Sequence, residues 1–402
     1  MKTRFFSRTS LALAVAFLTA PLIAAERPVE APIEAFRGEA KFDMQHQLSR
    51  TWKPLPNVVV TTDGTVLAAY SPGRSSLSVR RSEDGGETWG APINVGLGIH
   101  SGGVAVDETS GDVLVFVEER HPPAPLTVYR SKDSGKTWHV QKTTIRPDTN
   151  GNIPSLHMNE HGITLLHGTH AGRLIRPARH YGKGNAGRYW PTHYTTAIYS
   201  DDGGKSWDTS KPFAETGTGE AGIVELSDGR LYYNSRCHWN EHKPPKRRRH
   251  AWSDDGGETW RDWQVVEILP DGPQDTTYGC FGGLTRLPIK GRDIVLFSNC
   301  DSPSDRNHGT VWASFDGGRT WPLKRLVFEG GFEYSSLYAG RPGTKTEGLV
   351  YLFFEGGPYG GLFGQEKFKG GGTMARFNLS WLLEGKKTGD GTLPDWLQRE
   401  GG

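Results

Sequence analysis

The chain has 402 residues, with 47 basic and 45 acidic side chains and a formal net charge of +2, a balance that gives no support to a nucleic-acid or membrane-surface partner. Hydrophobic residues make up 35%, yet there are 53 glycines and 13 tryptophans, as in one large all-β unit whose several small cores are filled by aromatic rings. Three cysteines, Cys237, Cys280 and Cys300, are too few and odd in number for a disulfide framework, and no Cys-x-x-Cys pair suggests a zinc site.

The N-terminus reads as an export signal. Lys2, Arg4 and Arg8 form a basic start, Leu11 to Ala25 is almost wholly apolar, and Ala24 or Ala25 is a plausible cleavage position. Residues 1–25 are therefore expected to be a signal peptide and 26–45 a leader. Residues 46–386 are expected to be the folded unit and 387–402 a tail. The expected product is a periplasmic or secreted monomer without stable membrane insertion, because the apolar run is short for a membrane span.

Beyond the leader, apolar β-prone runs recur. TVLAAY, LSVRR, DVLVFV, LTVYR, ITLLHG, TTAIYS, RLYYNS, RHAWS, DIVLFS, TVWAS and VYLFF each read as a strand bounded by Gly- and Asp-rich turns. Amphipathic helix signal is weak except at WLLEG near the C-terminus. An octapeptide punctuates the strands: SEDGGETW, SKDSGKTW, SDDGGKSW, SDDGGETW and SFDGGRTW, with its Asp at Asp84, Asp133, Asp202, Asp255 and Asp316. An Asp that accepts bonds from backbone N–H groups two or more residues on, followed by glycines tolerant of positive φ, makes a turn. The closing Trp can fold back over it. Copies lie about 50 to 70 residues apart, one supersecondary unit per repeat. Several strands per repeat over this length predict an all-β, six-bladed β-propeller in which the octapeptides are scaffold.

The octapeptides resemble the Asp-boxes of the sialidase (neuraminidase) family, whose fold is a six-bladed propeller, and four once-only segments resemble it further, in the family's order. GTGEAGIVELSDGRLYYNSR implies a catalytic Glu220 followed by a carboxylate-binding Arg236. CFGGLTRL and LFSNCDSPSDRNHGTVWAS imply a second such arginine, Arg306; GFEYSSLY implies the nucleophile Tyr334; YLFFEGG implies a supporting Glu355. A sialic acid carries its carboxylate on the anomeric carbon, where a carboxylate nucleophile would be repelled. A tyrosine hydroxyl is neutral on approach, and a neighbouring glutamate can remove its proton. Arginine forks suit the sugar carboxylate.

The likeness departs from the family twice. The first carboxylate-binding arginine is missing, since Pro54 occupies its place in KPLPNVVVTTDG, leaving Lys53 as the adjacent cation. YSPGRSSLSVRRS has no Asp where the family carries its acid/base; stand-ins are His100, Glu118, Glu119 and His121. HGTH offers two histidines without a third ligand, so neither metal nor cofactor is expected. KPPKRRRH reads as a solvated basic loop or as a steering patch for an anionic glycan. The insertion RHYGKGNAGRYWPTHY reads equally as packing or as a platform for sugar rings. The reading is a secreted exo-α-sialidase-like glycoside hydrolase acting on an acidic glycan or glycoconjugate. The alternatives are a non-hydrolytic acidic-glycan-binding propeller and a polysaccharide lyase acting on uronates.

Overall fold

The computed structural model describes residues 1, 36–51, 53–73, 75–237, 246–275, 279–358 and 371–398, with backbone alone at 100–102 and 398. The expected signal peptide and most of the leader lie outside these residues. Among them, no helix is long and apolar enough to cross a membrane.

The described chain is a β-propeller. Its first sheet comprises Asn57–Val60, Val66–Gly73, Ser76–Ser82 and Ile93–Leu97, and its second Ile99–Val106, Val113–Glu118, Leu126–Ser131 and His139–Gln141. The third contains Ile163–Thr164, Leu174–His180, Tyr194–Ser200 and Ser206–Thr209, with Thr144–Ile145 parallel at its outer edge. The fourth comprises Thr218–Glu225, Leu231–Cys237, Arg247–Ser253 and Arg261–Pro270. Where separate fifth and sixth sheets were expected, one eight-stranded sheet stands. The reason is the 17-residue strand Leu323–Ala339, which pairs with Asn307–Ser314 up to Gly331 and with Val350–Gly356 from Phe332 onward. Phe42–Ser49 returns to pair with Gly372–Phe377, so the beginning of the described fold closes its last sheet. ITLLHG yields only the short strand Ile163–Thr164, because the amides of Leu166 and His167 turn to the Glu225 carboxylate.

The innermost strands meet on a polar hub. Glu160, fully buried, accepts from the amides of Leu337 (2.8 Å) and Leu284 (3.4 Å) and from Asn57 Nδ2 (3.0 Å). Asn57 Oδ1 accepts from the Val104 amide at 2.9 Å, and the Glu160 amide donates to Ala221 O at 2.8 Å. Every sheet is thereby tied to one point, and burial, resisted by those donors, pushes the Glu160 carboxyl up to about 8.

The five Asp-boxes share one geometry. In each, the aspartate accepts from the preceding serine hydroxyl at 2.7–2.8 Å and from the amide four residues on at 2.9–3.0 Å. Two of the closing tryptophans, Trp207 and Trp321, are fully buried, and Trp138 and Trp207 donate back to Gly135 O and Gly204 O. The boxes also join sheets. Arg81 donates to Ser134 O in the next box (2.7 Å), Arg130 to Gly203 O, and Arg173 to Gly256 O (3.2 Å). Arg376 in the last sheet donates to Gly85 O (2.8 Å) in the first box, and so closes the ring.

Candidate active site

All five boxes follow outward-lying third strands, on the face where the innermost strands end. The opposite face, where innermost strands begin and second strands end, holds a cavity of about 470 Å³. Lys53, Glu220, Arg236 and Tyr334 line it, from segments far apart in the chain.

The local ladders explain how these side chains reach the cavity. In the fourth sheet Thr218 pairs with Cys237 and Ala221 with Ser235, so Gly219 and Glu220 together oppose the single residue Arg236. In the last sheet Phe332 pairs with Gly356 and Ser335 with Phe354, so Glu333 and Tyr334 together oppose Glu355. Both are bulges, which interrupt alternation and re-aim side chains. Glycine at the first leaves room for Arg179, since a Cβ on Gly219 would stand 2.8 Å from its guanidinium and push it aside.

Arg236 is the centre of the cluster. It donates from Nη1 to Glu220 Oε2, and the same nitrogen lies 3.5 Å from Tyr334 Oη. Arg179 Nη1 stands 3.8 Å from the other Glu220 oxygen, so this buried carboxylate faces two guanidinium groups. Burial works against the charge of Arg236, but Glu220 and then Tyr334 and Asp271 hold it above the ordinary guanidinium value. Tyr334 is half-buried and packs edge-on against Phe281, with ring centroids 6.0 Å apart.

Arg306 is placed differently. It is not on the cavity wall; its Cζ lies 4.9 Å from the Tyr334 ring centroid, and it donates to Glu333 Oε2 (2.8 Å) and Gly279 O (2.7 Å). Glu355 is likewise behind the wall. Its Oε1 accepts from the Leu55 amide at 2.9 Å, fixing the segment that carries Lys53, whose own φ is +52°. Burial, reinforced by the Glu333 carboxylate, pushes the Glu355 carboxyl up to about 8 against the pull of the Leu55 amide, Arg306 and Lys53.

Of the acid/base stand-ins, Glu119 and His121 line the cavity, and the His100 side chain lies outside the described residues. Glu118 turns inward to Ser155 Oγ (2.6 Å) and the Leu156 amide (3.2 Å); burial raises it to about 7 despite these bonds and the nearby Arg176 and Arg179. His121 contacts Pro122 O through Nδ1 (3.1 Å) and packs edge-on against His157 and Tyr181, with ring centroids 5.0 and 5.2 Å away. Burial holds its pKa below the ordinary value; Arg179 adds to this, while the Pro122 contact and Glu220 oppose it.

The Gly- and Tyr-rich insertion both packs and reaches the site. Arg179 and His193 are buried, while Tyr181, Asn185 and Trp190 face the cavity. Sequence reasoning missed Arg179, Glu333 and His157 as neighbours of the site. A charge next to a catalytic-type residue, as in EY of GFEYSSLY, was the available signal for Glu333. The basic run KPPKRRRH is corrected over 246–250, while 243–245 lie outside the described residues. Lys246, Arg248 and Arg249 are buried, with Arg248 on Asp271 (2.9 Å) and Arg249 on Glu215 (3.2 Å), because this stretch enters a central strand and each guanidinium finds an internal carboxylate. All three cysteines are buried free thiols, and no group of three or more potential metal ligands occurs among the described residues.

Fold and cavity together define an Asp-box β-propeller with a charged central site. The model of the BNR repeat-like domain matches residues 100–346, and the chain belongs to the sialidase family with BNR repeats. It is 31% identical over 420 residues to a sialidase of Micromonospora viridifaciens, covering 92% of this chain and 60% of that protein. It is 27% identical over 350 residues to a sialidase of Bacteroides fragilis, covering 74% and 59%. The chain thus spans about three fifths of the length of these relatives. Among solved structures, a Hadza microbial sialidase superposes with a TM-score of 0.60 at 22% identity, covering 82% of this chain and 66% of that one. A leech intramolecular trans-sialidase superposes with a TM-score of 0.62 at 16% identity, covering 86% and 71%. At these identities the structural likeness speaks for the fold.

Proposed function

We propose that this chain is an exported exo-acting glycoside hydrolase that removes a terminal sialic-acid-like sugar with retention of configuration. The observation that carries the reading is the convergence of Tyr334 Oη and Glu220 on one Arg236 nitrogen at the wall of a sugar-sized cavity. In the reaction Tyr334 Oη attacks the anomeric carbon while Glu220 takes the phenolic proton. The glycosidic C–O bond breaks, and the leaving oxygen takes a proton from an acid on the cavity wall. Water then attacks the same carbon, giving its proton to that group, and the phenol regains its own from Glu220. Two inversions leave the product in the starting configuration. Arg236 and Lys53 face the sugar carboxylate, one as a fork and one as a point charge. Glu119 and His121 are the wall residues able to act as the acid.

The propeller is counted as six blades, the eight-stranded sheet being two. What supports this count is the exchange of partners along Leu323–Ala339 and the separate ties of Leu284 and Leu337 to the hub.

A second reading is favoured by one feature. His121 and His157 beside Tyr181 give the cavity a neutral base and a phenol, the groups a uronate lyase needs. An aryl α-sialoside and a uronate polymer separate the two. Dye release with the retained anomer seen first by NMR, reduced about a thousandfold by Tyr334→Phe, is the expected result. An ultraviolet-absorbing unsaturated product from the polymer assigns the lyase. Binding without turnover of either assigns a lectin-like protein.

A further inference from the structure

Two guanidinium groups meet at one carboxylate behind the cavity wall. Arg236 bonds Glu220 Oε2, and Arg179 Nη1 lies 3.8 Å from Glu220 Oε1, at ion-pair distance. Arg179 is 0% exposed and is not on the wall, so it does not touch a ligand in the cavity. Its other neighbours balance its charge poorly. Nη2 meets His193 Nδ1 at 3.1 Å, and His193 Nε2 donates to Gly184 O at 2.9 Å. His193 Nδ1 is therefore a neutral acceptor, since burial, with Arg179 second, lowers the imidazole to about 4. The Tyr181 ring lies 4.0 Å from Cζ. Glu118, which also feels Arg179, is raised by burial to about 7 and bonds Ser155 and Leu156 instead. Glu220 is thus the carboxylate that Arg179 and Arg236 share. Arg179 Nε and Nη1 have no hydrogen-bond partner among the described residues, and a buried donor is left unmade only at a cost. The chain nevertheless makes room for this group, because Gly219 has no side chain where a Cβ would stand 2.8 Å from it.

Resting on the sugar-acid reading above, we propose that Arg179 readies Arg236 for the sugar carboxylate. Two cations on one buried carboxylate leave an excess of positive charge, and Arg236 is the member of the pair on the cavity wall. By carrying part of the Glu220 charge from behind, Arg179 lets Arg236 offer that excess to an anion. Its Nη1 is also a donor in reserve for Glu220 Oε1 as Arg236 draws toward the ligand. Arg179 is a positioning residue, acting on the substrate through Glu220 and Arg236. An uncharged ligand of the same shape gains nothing from it.

The test is calorimetry with 2,3-didehydro-2-deoxy-N-acetylneuraminic acid and with its methyl ester. Arg179→Met keeps the bond between Glu220 and Arg236, so no buried ion is left alone. It is expected to bind the acid about tenfold more weakly and the ester within about twofold of wild type. Arg179→Lys, which restores a cation, is expected to recover acid binding to within about threefold of wild type. Gly219→Ala deletes no charge but pushes the guanidinium aside. It is expected to weaken the acid by about threefold or more, and to add nothing in the Arg179→Met protein. Should Arg179→Met fail to fold, Gly219→Ala alone decides. If neither variant alters acid binding, or if acid and ester weaken alike, the proposal is overturned while the sugar-acid reading stands. Wild-type protein that neither turns over an aryl α-sialoside nor binds the acid overturns both.

Discussion

Replacing Arg376 by Ala isolates the last contact of the ring. The side chain is 10% exposed and meets three partners: Gly85 O at 2.8 Å, Glu87 Oε1 at 2.9 Å, and Asp43. Glu87 is 68% exposed, so its ion pair contributes only a few tenths of a kcal/mol. Asp43 is 23% exposed and meets the guanidinium through two nitrogens, a contact worth about 1 kcal/mol. Gly85 O keeps the Tyr351 hydroxyl at 2.9 Å, so it is not orphaned, and losing the arginine there costs about 1 kcal/mol. The expected loss is about 2 to 3 kcal/mol. With an unfolding entropy of about 2 cal/mol/K per residue over the whole fold, Tm falls by about 3 °C. Urea unfolding should move its midpoint with m unchanged. Arg130→Ala, which breaks the like contact between the second and third sheets, serves as the reference. If Arg376→Ala is indistinguishable from wild type while Arg130→Ala is destabilised, the closing sheet is held by strand pairing alone, and the role given to the first Asp-box is wrong.

Two other outcomes are expected. Glu118 has an ordinary value of 4.5 and is raised to about 7 in the fold, so the folded protein holds the extra proton between those values. Stability is then greatest below pH 4.5 for this group and is lost as pH rises through 7, by about 3 kcal/mol at most. Glu118→Gln should flatten that part of the Tm-against-pH curve, and an unchanged slope would refute the assignment. Trp190→Ala, at the cavity lip, should raise KM on a disaccharide glycoside several-fold with kcat nearly kept, because an aromatic face contributes about 1 kcal/mol of contact with a sugar ring; steady-state kinetics decide it.

Local chemistry carried much of the fold in the sequence. A Ser, an Asp two residues on, then glycines and a Trp suffice to write a self-contained turn, and each Asp-box bonds within eight residues. The strands bearing LSVRR, LTVYR and TVWAS needed only apolar β-branched patterning. The convergence of Tyr334, the Glu220–Arg236 pair and Lys53 on one cavity was legible only through likeness to a family, since nothing local links segments about a hundred or more positions apart. Partnerships among buried charges were not legible. Arg306 with Glu333 and Arg248 with Asp271 depend on which side chains face one another across sheets, and charge alone reads as surface. Nor was the eight-stranded sheet foreseeable, because strand continuity past Gly331 is decided by pairing on both flanks.

The two bulges bear on how such a site changes through descent. Glu220 and Tyr334 each stand one residue out of phase with the ladder around them. Loss of Gly219 or of Glu333 would remove the extra residue on which a bulge rests and so change the aim of Glu220 or Tyr334, and loss of Glu333 would also leave the buried Arg306 without its carboxylate. A substitution alters such a cluster by degrees, whereas a one-codon deletion re-aims it at a stroke. Homologues that keep every Asp-box but lack either extra residue are therefore the place to look for chains whose cavity has changed its use.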